Sequence, residues 1–320
     1  MHTKSQIYDL AKDAVDASLK QYNLDIHKIY FLGRSEHVTY RIDTYSNESY
    51  LLRIHTNELR REEIESELVW LEHLSGGGLQ TPRGMKNNNG QYVTEVEIGE
   101  DTMHATLLAW VKGQSLQEQI TLDDVAHVGQ LMAKLHERTT SFQSGPEFVR
   151  PVWGEDSLRK DVEKLGRHYS DFMTDGEFER VQEIADKICA RIHSLAKTGD
   201  TYGVIHADLH WENIVHNNGE PCAIDFGRCG FGFYLYDIAQ SLMGQLPQGR
   251  QAFIDGYAKQ RSLPADYAND LESFFIMAVI ENASFHSDNP EELEHLKSLK
   301  NYLMKVMDRY LEGESFLFGN

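Results

Sequence analysis

The segment from His206 to Asp225 reads H-A-D-L-H-W-E-N-I-V-H-N-N-G-E-P-C-A-I-D and continues into Phe226 and Gly227. It contains H-x-D-x-x-x-x-N and, twelve residues after the asparagine, D-F-G. Phosphoryl transfer from Mg-ATP asks a protein for a group that meets the attacking hydroxyl and for ligands that hold metal against the phosphates. Asp208 has the type and position for the first task, Asn213 and Asp225 for the second. A lone H-x-D or D-F-G arises by chance, so the inference rests on the ordered combination with a hairpin of fitting length between its parts.

Local geometry supports that combination. Ile214-Val215-His216 and Cys222-Ala223-Ile224 are short apolar runs flanking Asn218-Gly219, the strongest short-range signal for a two-residue hairpin turn. Centring the turn there sets Ile214 opposite Ala223 and leaves Asn213 and Asp225 one diagonal step apart, within roughly 7–8 Å. Mg2+ takes oxygen ligands and keeps waters and substrate phosphates, so one carboxylate, one amide oxygen and ATP oxygens form a sufficient set. Asp208, on the loop entering the hairpin, is placed to accept a hydrogen bond from a hydroxyl and orient it at the γ-phosphate. His206 precedes Asp208 by two and reads as a packed, backbone-bonding histidine rather than a catalytic one. His210 stays open between the two roles. Fifteen histidines without H-E-x-x-H or a cysteine cluster argue against a protein-bound zinc site.

The elements that must position these residues follow from periodicity. Ile7, Leu10, Ala11, Ala14, Val15 and Leu19 predict a helix over residues 5–22. β-rich runs follow at Lys28–Leu32, Val38–Thr44 and Tyr50–Ile54. Ile64, Leu68, Leu71 and Leu74 place one apolar face on a helix over Leu59–Leu74, stopped by Gly76-Gly77-Gly78. Residues 79–102 suit a loop and hairpin, and Met103–Val111 a buried strand. Thr121 is a good N-cap for an apolar stripe that runs to His136. Further helices are predicted at Glu177–Ala196 and near 237–246, 250–260, 266–284 and 290–312.

Composition narrows the class. A chain of 320 residues is long enough for a sizeable core and for two domains. No apolar run approaches the roughly 18 residues that cross a bilayer, and the start lacks the apolar stretch of a signal peptide. Cys189, Cys222 and Cys229 show no framework spacing, so a cytoplasmic location is expected, with core packing as their role. The net charge of −19 makes nucleic acid an unsuitable partner and favours, weakly, a cationic acceptor. The sequence carries no signal of oligomeric state.

Beyond D-F-G the chain reads R-C-G-F-G-F-Y-L-Y-D-I-A from Arg228 to Ala239; upstream stand L-M-A-K-L-H at Leu131–His136 and L-L-A-W-V-K-G at Leu107–Gly113. With the His206–Asp225 segment, these resemble the aminoglycoside phosphotransferase and choline kinase-like enzyme family, nearest its type II homoserine kinases and bacterial stress-response kinases. The resemblance covers nearly the whole chain. It implies an α+β, protein-kinase-like two-lobed fold: a small antiparallel β lobe (1–111) and a large, mainly helical lobe (112–320) with the catalytic loop and acceptor site. ATP, with Mg2+, would lie in the cleft between the lobes.

Further site residues follow from that resemblance. The turn Gly33–His37 would cover the phosphates; it lacks G-x-G-x-x-G, but backbone N–H groups of Ser35, Glu36 and His37 could still meet phosphate. Where protein kinases carry a lysine on the third strand, this chain has Arg53, either a bidentate phosphate ligand or a surface arginine on an edge strand. Glu67 best matches the acidic partner of that base, with Glu63 in reserve. Backbone groups of Ala109, Trp110 and Val111 match the hinge that reads adenine. Asp237 is either a plain N-cap or a brace for the catalytic loop. Trp153, Tyr169, Trp211, Tyr234 and Tyr236 either line an acceptor pocket or pack in the core.

The expected activity is therefore transfer of the γ-phosphate of ATP to a hydroxyl of a small molecule: an aminoglycoside, a choline-like amine, homoserine or a sugar-like alcohol. The alternatives are a Ser/Thr protein kinase of the stress-response type and a non-catalytic nucleotide-binding regulator. The run after D-F-G has no A-P-E and no Ser or Thr, which favours a small acceptor.

Overall fold

The computed structural model describes residues 4–34, 37–56, 59–116 and 120–319. They form two compact units. The first comprises Met1–Gln114, Gln143–Arg150 and Ile224–Gly227, the second Ser115–Phe142, Pro151–Ala223 and Arg228–Asn320. The fold is α+β and protein-kinase-like, with a small antiparallel β lobe and a large, mainly helical one.

The first unit begins with α1 (Lys4–Leu19), then β1 (Ile26–Arg34), β2 (His37–Thr44), β3 (Ser49–His55), α2 (Arg61–Gly76), β4 (Arg83–Met85), β5 (Val93–Ile98) and β6 (Asp101–Ala109). The strands pair antiparallel in the order β1-β2-β3-β6-β4, with β5 also on β6. Ala11, Ala14, Val15 and Leu19 of α1 pack with Val38, Ile42, Leu52, Ile54 and Leu107 of the sheet. Residues 52–55 of β3 are buried in succession, and the strand has a neighbour on each edge. That placement settles Arg53, which lies on an interior strand and not on an exposed edge. β6 ends at Ala109, two residues short of the predicted Val111. The edge strand β1 carries two register irregularities against β2, a device that blunts an open sheet edge.

The second unit contains α3 (Leu122–Ser141), α4 (Glu155–Leu165), α5 (Asp175–Ser194), β7 (Tyr202–Ile205), β8 (Ile214–Asn217), β9 (Glu220–Ala223) and β10 (Gly230–Phe233). It continues with α6 (Tyr234–Leu242), α7 (Pro247–Ala258), α8 (Tyr267–His286) and α9 (Leu293–Glu312). Thr121 caps α3 as predicted, its Oγ1 accepting from the Asp124 N–H at 3.2 Å. Thr174 caps α5 in the same way with Glu177. The helix α4 is additional to the predicted elements: only Leu158 and Leu165 are buried along it, too sparse a stripe for a 3.6-residue period to register. α6 starts at Tyr234, so Asp237 lies inside the helix and is not its N-cap, which is Phe233.

Two glycines let α3 and α7 approach almost backbone to backbone. A Cβ on Gly256 would stand 1.9 Å from the carbonyl oxygen of Ala126, and one on Gly129 would stand 2.1 Å from that of Phe253. Backbone cannot yield as a flexible side chain does. Gly256→Ala is therefore expected to destabilise the chain by about 1–3 kcal/mol, read as a lower urea midpoint. An unchanged midpoint would rule out this close helix contact.

Candidate active site

In the first unit, Arg53 projects from β3 and Glu67 from the second turn of α2. Arg53 Nη2 meets Glu67 Oε1 at 2.6 Å, with side chains 4% and 3% exposed. Glu63 is occupied differently: its Oε2 accepts from the Arg60 N–H at 2.9 Å, capping α2. Glu67 is thus the partner of the third-strand base, one helical turn beyond Glu63.

His37 opens β2 opposite His55, the two rings meeting edge to face at 4.5 Å. Burial, reinforced by the positive charge of Arg53, lowers the His37 pKa to about 4. Burial likewise holds His55 well below its ordinary value, aided by His37 and Arg53. Both rings are neutral at pH 7, so they fill the site without adding charge. Ser35 and Glu36, the other residues expected over the phosphates, lie outside the described residues.

Asp225 belongs to this unit too. A Cβ on Gly227 would lie 3.4 Å from Asp225 Oδ1 and 3.7 Å from His37 Nε2, so the two side chains flank the D-F-G glycine. Asp225 is exposed and has φ 59°, a left-handed conformation that an L side chain holds only where its surroundings impose it. Arg150, which no sequence signal marked, supplies part of that imposition. Buried at 6% exposure, it donates through Nη1 to Glu63 O at 2.9 Å and through Nη2 to Gly227 O. The neighbouring Val149 N–H donates to Ser66 Oγ at 2.8 Å. One guanidinium therefore ties α2, which bears Glu67, to the segment that bears Asp225.

At the end of β6, the Trp110 N–H donates to Ser49 O at 3.1 Å, and the Arg41 guanidinium lies 5.0 Å above the Trp110 ring. Ala109 is a ladder residue opposite Tyr50 and Arg83. The Trp110 N–H is thus already committed to the sheet.

The second unit holds Asp208 and Asn213. The hairpin has the register expected from its turn, with Ile214 opposite Ala223 and Asn217 opposite Glu220. Asn218 and Gly219 have φ 54° and 86°, as a type I′ turn requires. Asn213 ends the short turn Trp211–Asn213 just before β8 and is 7% exposed. Its Nδ2 donates to Asp208 O at 2.9 Å and to Asp208 Oδ2 at 3.2 Å. Two acceptors in Asp208 decide which way the amide faces, so its oxygen is what remains for a cation. His210 Nε2 stands 3.1 Å from the same Nδ2 and 3.8 Å from Asp208 Oδ1, which makes His210 a neighbour that steadies the pair. The Asp208 side chain is 34% exposed, open enough to meet a substrate.

Beneath this loop lies a fully buried carboxylate. Asp237 Oδ2 accepts from the His206 N–H at 2.9 Å, and Oδ1 from the Ala207 N–H at 2.7 Å. Ala207 has φ 61°, so these bonds hold a strained residue directly before Asp208. His136 Nε2 completes the set at 3.0 Å, and its Nδ1 lies 2.9 Å from Tyr257 Oη. The carboxylate can only accept, so Nε2 carries the proton and the tyrosine donates to Nδ1. Burial keeps His136 below its ordinary pKa and neutral. Burial also opposes charge on Asp237, but the hydrogen bonds from His136 and the His206 backbone prevail and hold its carboxyl below the usual value. His206 is 1% exposed, as a packed residue should be. Asp237 thus braces the loop from within α6.

Among the aromatic candidates, Tyr234 and Tyr236 are core residues at 2% and 0% exposure. Trp153 is half-buried, under the Arg228 guanidinium at 4.6 Å, and its Nε1 donates to Arg228 O at 3.1 Å. Arg228 pairs with Glu281, which also takes hydrogen bonds from Tyr236 and Gln240. The residues after D-F-G are therefore locked: Gly230–Phe233 pair as β10 with β7.

Comparison with known proteins agrees with this fold. Amicoumacin kinase of Bacillus subtilis (strain 168) is 27% identical over 226 residues, 68% of this chain and 63% of that protein's length. The microcompartment-associated aminopropanol kinase superposes with a TM-score of 0.81 at 25% identity, over 96% of this chain and 98% of that one. Amicoumacin kinase hAmiN, solved with AMP-PNP, Ca2+ and Ami, gives a TM-score of 0.81 at 18% identity over 95% and 96% of the two chains, a likeness of fold. The model of the phosphotransferase enzyme family (APH) matches residues 30–270, three quarters of the sequence, and the chain belongs to that family.

Proposed function

We propose that this chain is an ATP- and Mg2+-dependent kinase that phosphorylates a hydroxyl of a small, amine-bearing molecule. The observation that carries the proposal is the loop at Asp208: an accessible carboxylate, fixed by Asn213 and seated on the buried Asp237. Asp208 accepts the hydrogen bond of the acceptor hydroxyl and aims its oxygen at the γ-phosphorus. As that oxygen–phosphorus bond forms, the bond from phosphorus to the β–γ bridging oxygen breaks, ADP leaves, and Asp208 takes the hydroxyl proton.

The donor set fits magnesium: the carboxylate of Asp225 and the amide oxygen of Asn213, whose nitrogen is already committed to Asp208. The bound ion would neutralise phosphate charge. Arg53, steadied by Glu67, holds the phosphates. Free groups of Ala109–Val111 meet the base. No covalent enzyme intermediate is needed, since positioning and charge neutralisation supply the catalysis.

The amine in the acceptor is supported by the net charge of −19 and by the likeness to an aminopropanol kinase. A protein acceptor is disfavoured, because the stretch after D-F-G is strand and helix rather than an open, phosphorylatable loop. A non-catalytic role is disfavoured by the intact set of Asp208, Asn213 and Asp225, with the Asp208 carboxylate accessible and held by Asn213. The three cysteines are buried free thiols, which suits a reducing cytoplasm. Among the described residues no helix is long and apolar enough to cross a membrane.

ADP release should be followed with MgATP against 1-amino-2-propanol, homoserine, choline, an aminoglycoside, propane-1,2-diol and a Ser/Thr peptide. Turnover with at least one amine-bearing alcohol, and none with the diol, is expected. Turnover with the peptide alone would transfer the chain to the protein kinases.

A further inference from the structure

A cavity of about 470 Å³ opens on the second unit between the turn that follows α6 and the second half of α9. Among the described residues its walls carry Arg250, Lys305 and Arg309 and no carboxylate, in a chain that has 50 acidic residues against 31 basic ones. Leu246, Val306 and Phe316 supply apolar surface between the cations. Such local reversal of charge has no use in the phosphotransfer proposed above.

Arg250 is the informative member. It is 6% exposed, donates through Nη1 to Leu317 O at 3.1 Å and through Nη2 to Tyr302 Oη at 3.0 Å, and lies 4.7 Å over the Phe275 ring. Both acceptors are uncharged. Its Nε has no hydrogen-bond partner, and among the described residues no carboxylate pairs with it. The buried acid of this region, Glu272, spends Oε1 on Ser315, Phe316 and Leu317 instead. Arg309 is only partly balanced, by Glu314 at 3.5 Å, and Lys305 is exposed. A guanidinium buried without a counter-charge is costly, and a cavity at its side is where that charge can come from.

We propose that this cavity binds a compact organic anion with an apolar body. The anionic group lies against Arg250, with Lys305 and Arg309 at the mouth, and the apolar body lies on Leu246, Val306 and Phe316. A volume near 470 Å³ is in the range of small-molecule sites. The inference does not depend on the phosphotransfer reading, since none of these residues takes part in it.

Phenyl phosphate serves as the probe, titrated by calorimetry into the full chain saturated with AMP-PNP and Mg2+. One-to-one binding is expected, weakened by salt, with no heat from benzyl alcohol or benzylamine. Lys305→Glu, an exposed change, should weaken it at least tenfold, and Arg250→Gln should abolish it. If Arg250→Gln fails to fold by circular dichroism, Lys305→Glu decides alone. Absence of binding to the native chain, or binding only while AMP-PNP is left out, overturns the site. So does binding that Lys305→Glu leaves unchanged.

Discussion

Asp208→Ala is expected to lower acceptor turnover by about 10²–10⁴-fold, the usual contribution of a positioned general base, while the chain stays folded. The fold survives because the carboxylate is at the surface of its loop, not beneath it. Asn213 loses one acceptor but keeps Asp208 O at 2.9 Å and its contact with His210, so the amide oxygen stays where a cation would meet it. The Ala207 and His206 N–H groups remain on Asp237, which keeps the loop backbone in place. Affinity for MgATP should therefore hold as the chemical step collapses. Asp225→Ala should do the opposite and weaken metal-nucleotide binding first. Single-turnover transfer, nucleotide binding and a thermal melt of each variant separate the two effects. An Asp208→Ala chain with near-native turnover would remove Asp208 from the mechanism.

Arg53→Met should affect both stability and nucleotide affinity. With side chains 4% and 3% exposed, the Arg53–Glu67 pair is buried, and removing one partner strands a buried carboxylate. Breaking such a pair costs about 3–5 kcal/mol. The two roles can be separated because they respond differently to the second change. Combining Arg53→Met with Glu67→Met removes both charges, so most of the lost stability should return, whereas the KM for ATP should stay at least tenfold raised. Recovery of ATP affinity together with stability would mean that the pair is a structural element only. His37 and His55, neutral beside it, add no charge that would substitute for Arg53.

The parts of this site that were legible from the sequence are those governed by neighbours in the chain. Asn218-Gly219 specifies a turn by its backbone preferences, and the turn sets the register that places Ile214 opposite Ala223. Thr121 and Asp124 cap each other across three residues. Glu67 was singled out by the family resemblance, with Glu63 in reserve, and the folded chain buries Glu67 while Glu63 caps the helix start. The ends of elements were less legible, as at β6 and α6, because a boundary depends on what the chain meets there. α4 escaped notice since two buried leucines suffice when a large partner helix, α8, covers them.

By itself, then, the sequence pointed to a kinase of the phosphotransferase enzyme family and named the candidate site residues. Both rest on short-range patterns of residue type whose geometry the backbone sets locally. Only the tertiary structure decided what holds those residues still. Arg150 lies seventy-seven residues from the Gly227 carbonyl it holds, and Asp237, which the resemblance offered as either N-cap or brace, thirty from the Ala207 N–H it receives. Each is a buried polar group whose partners are backbone atoms far along the chain. Backbone atoms carry no residue type, so no pattern in the sequence could announce the pairing, and only the folded chain brings donor and acceptor within reach.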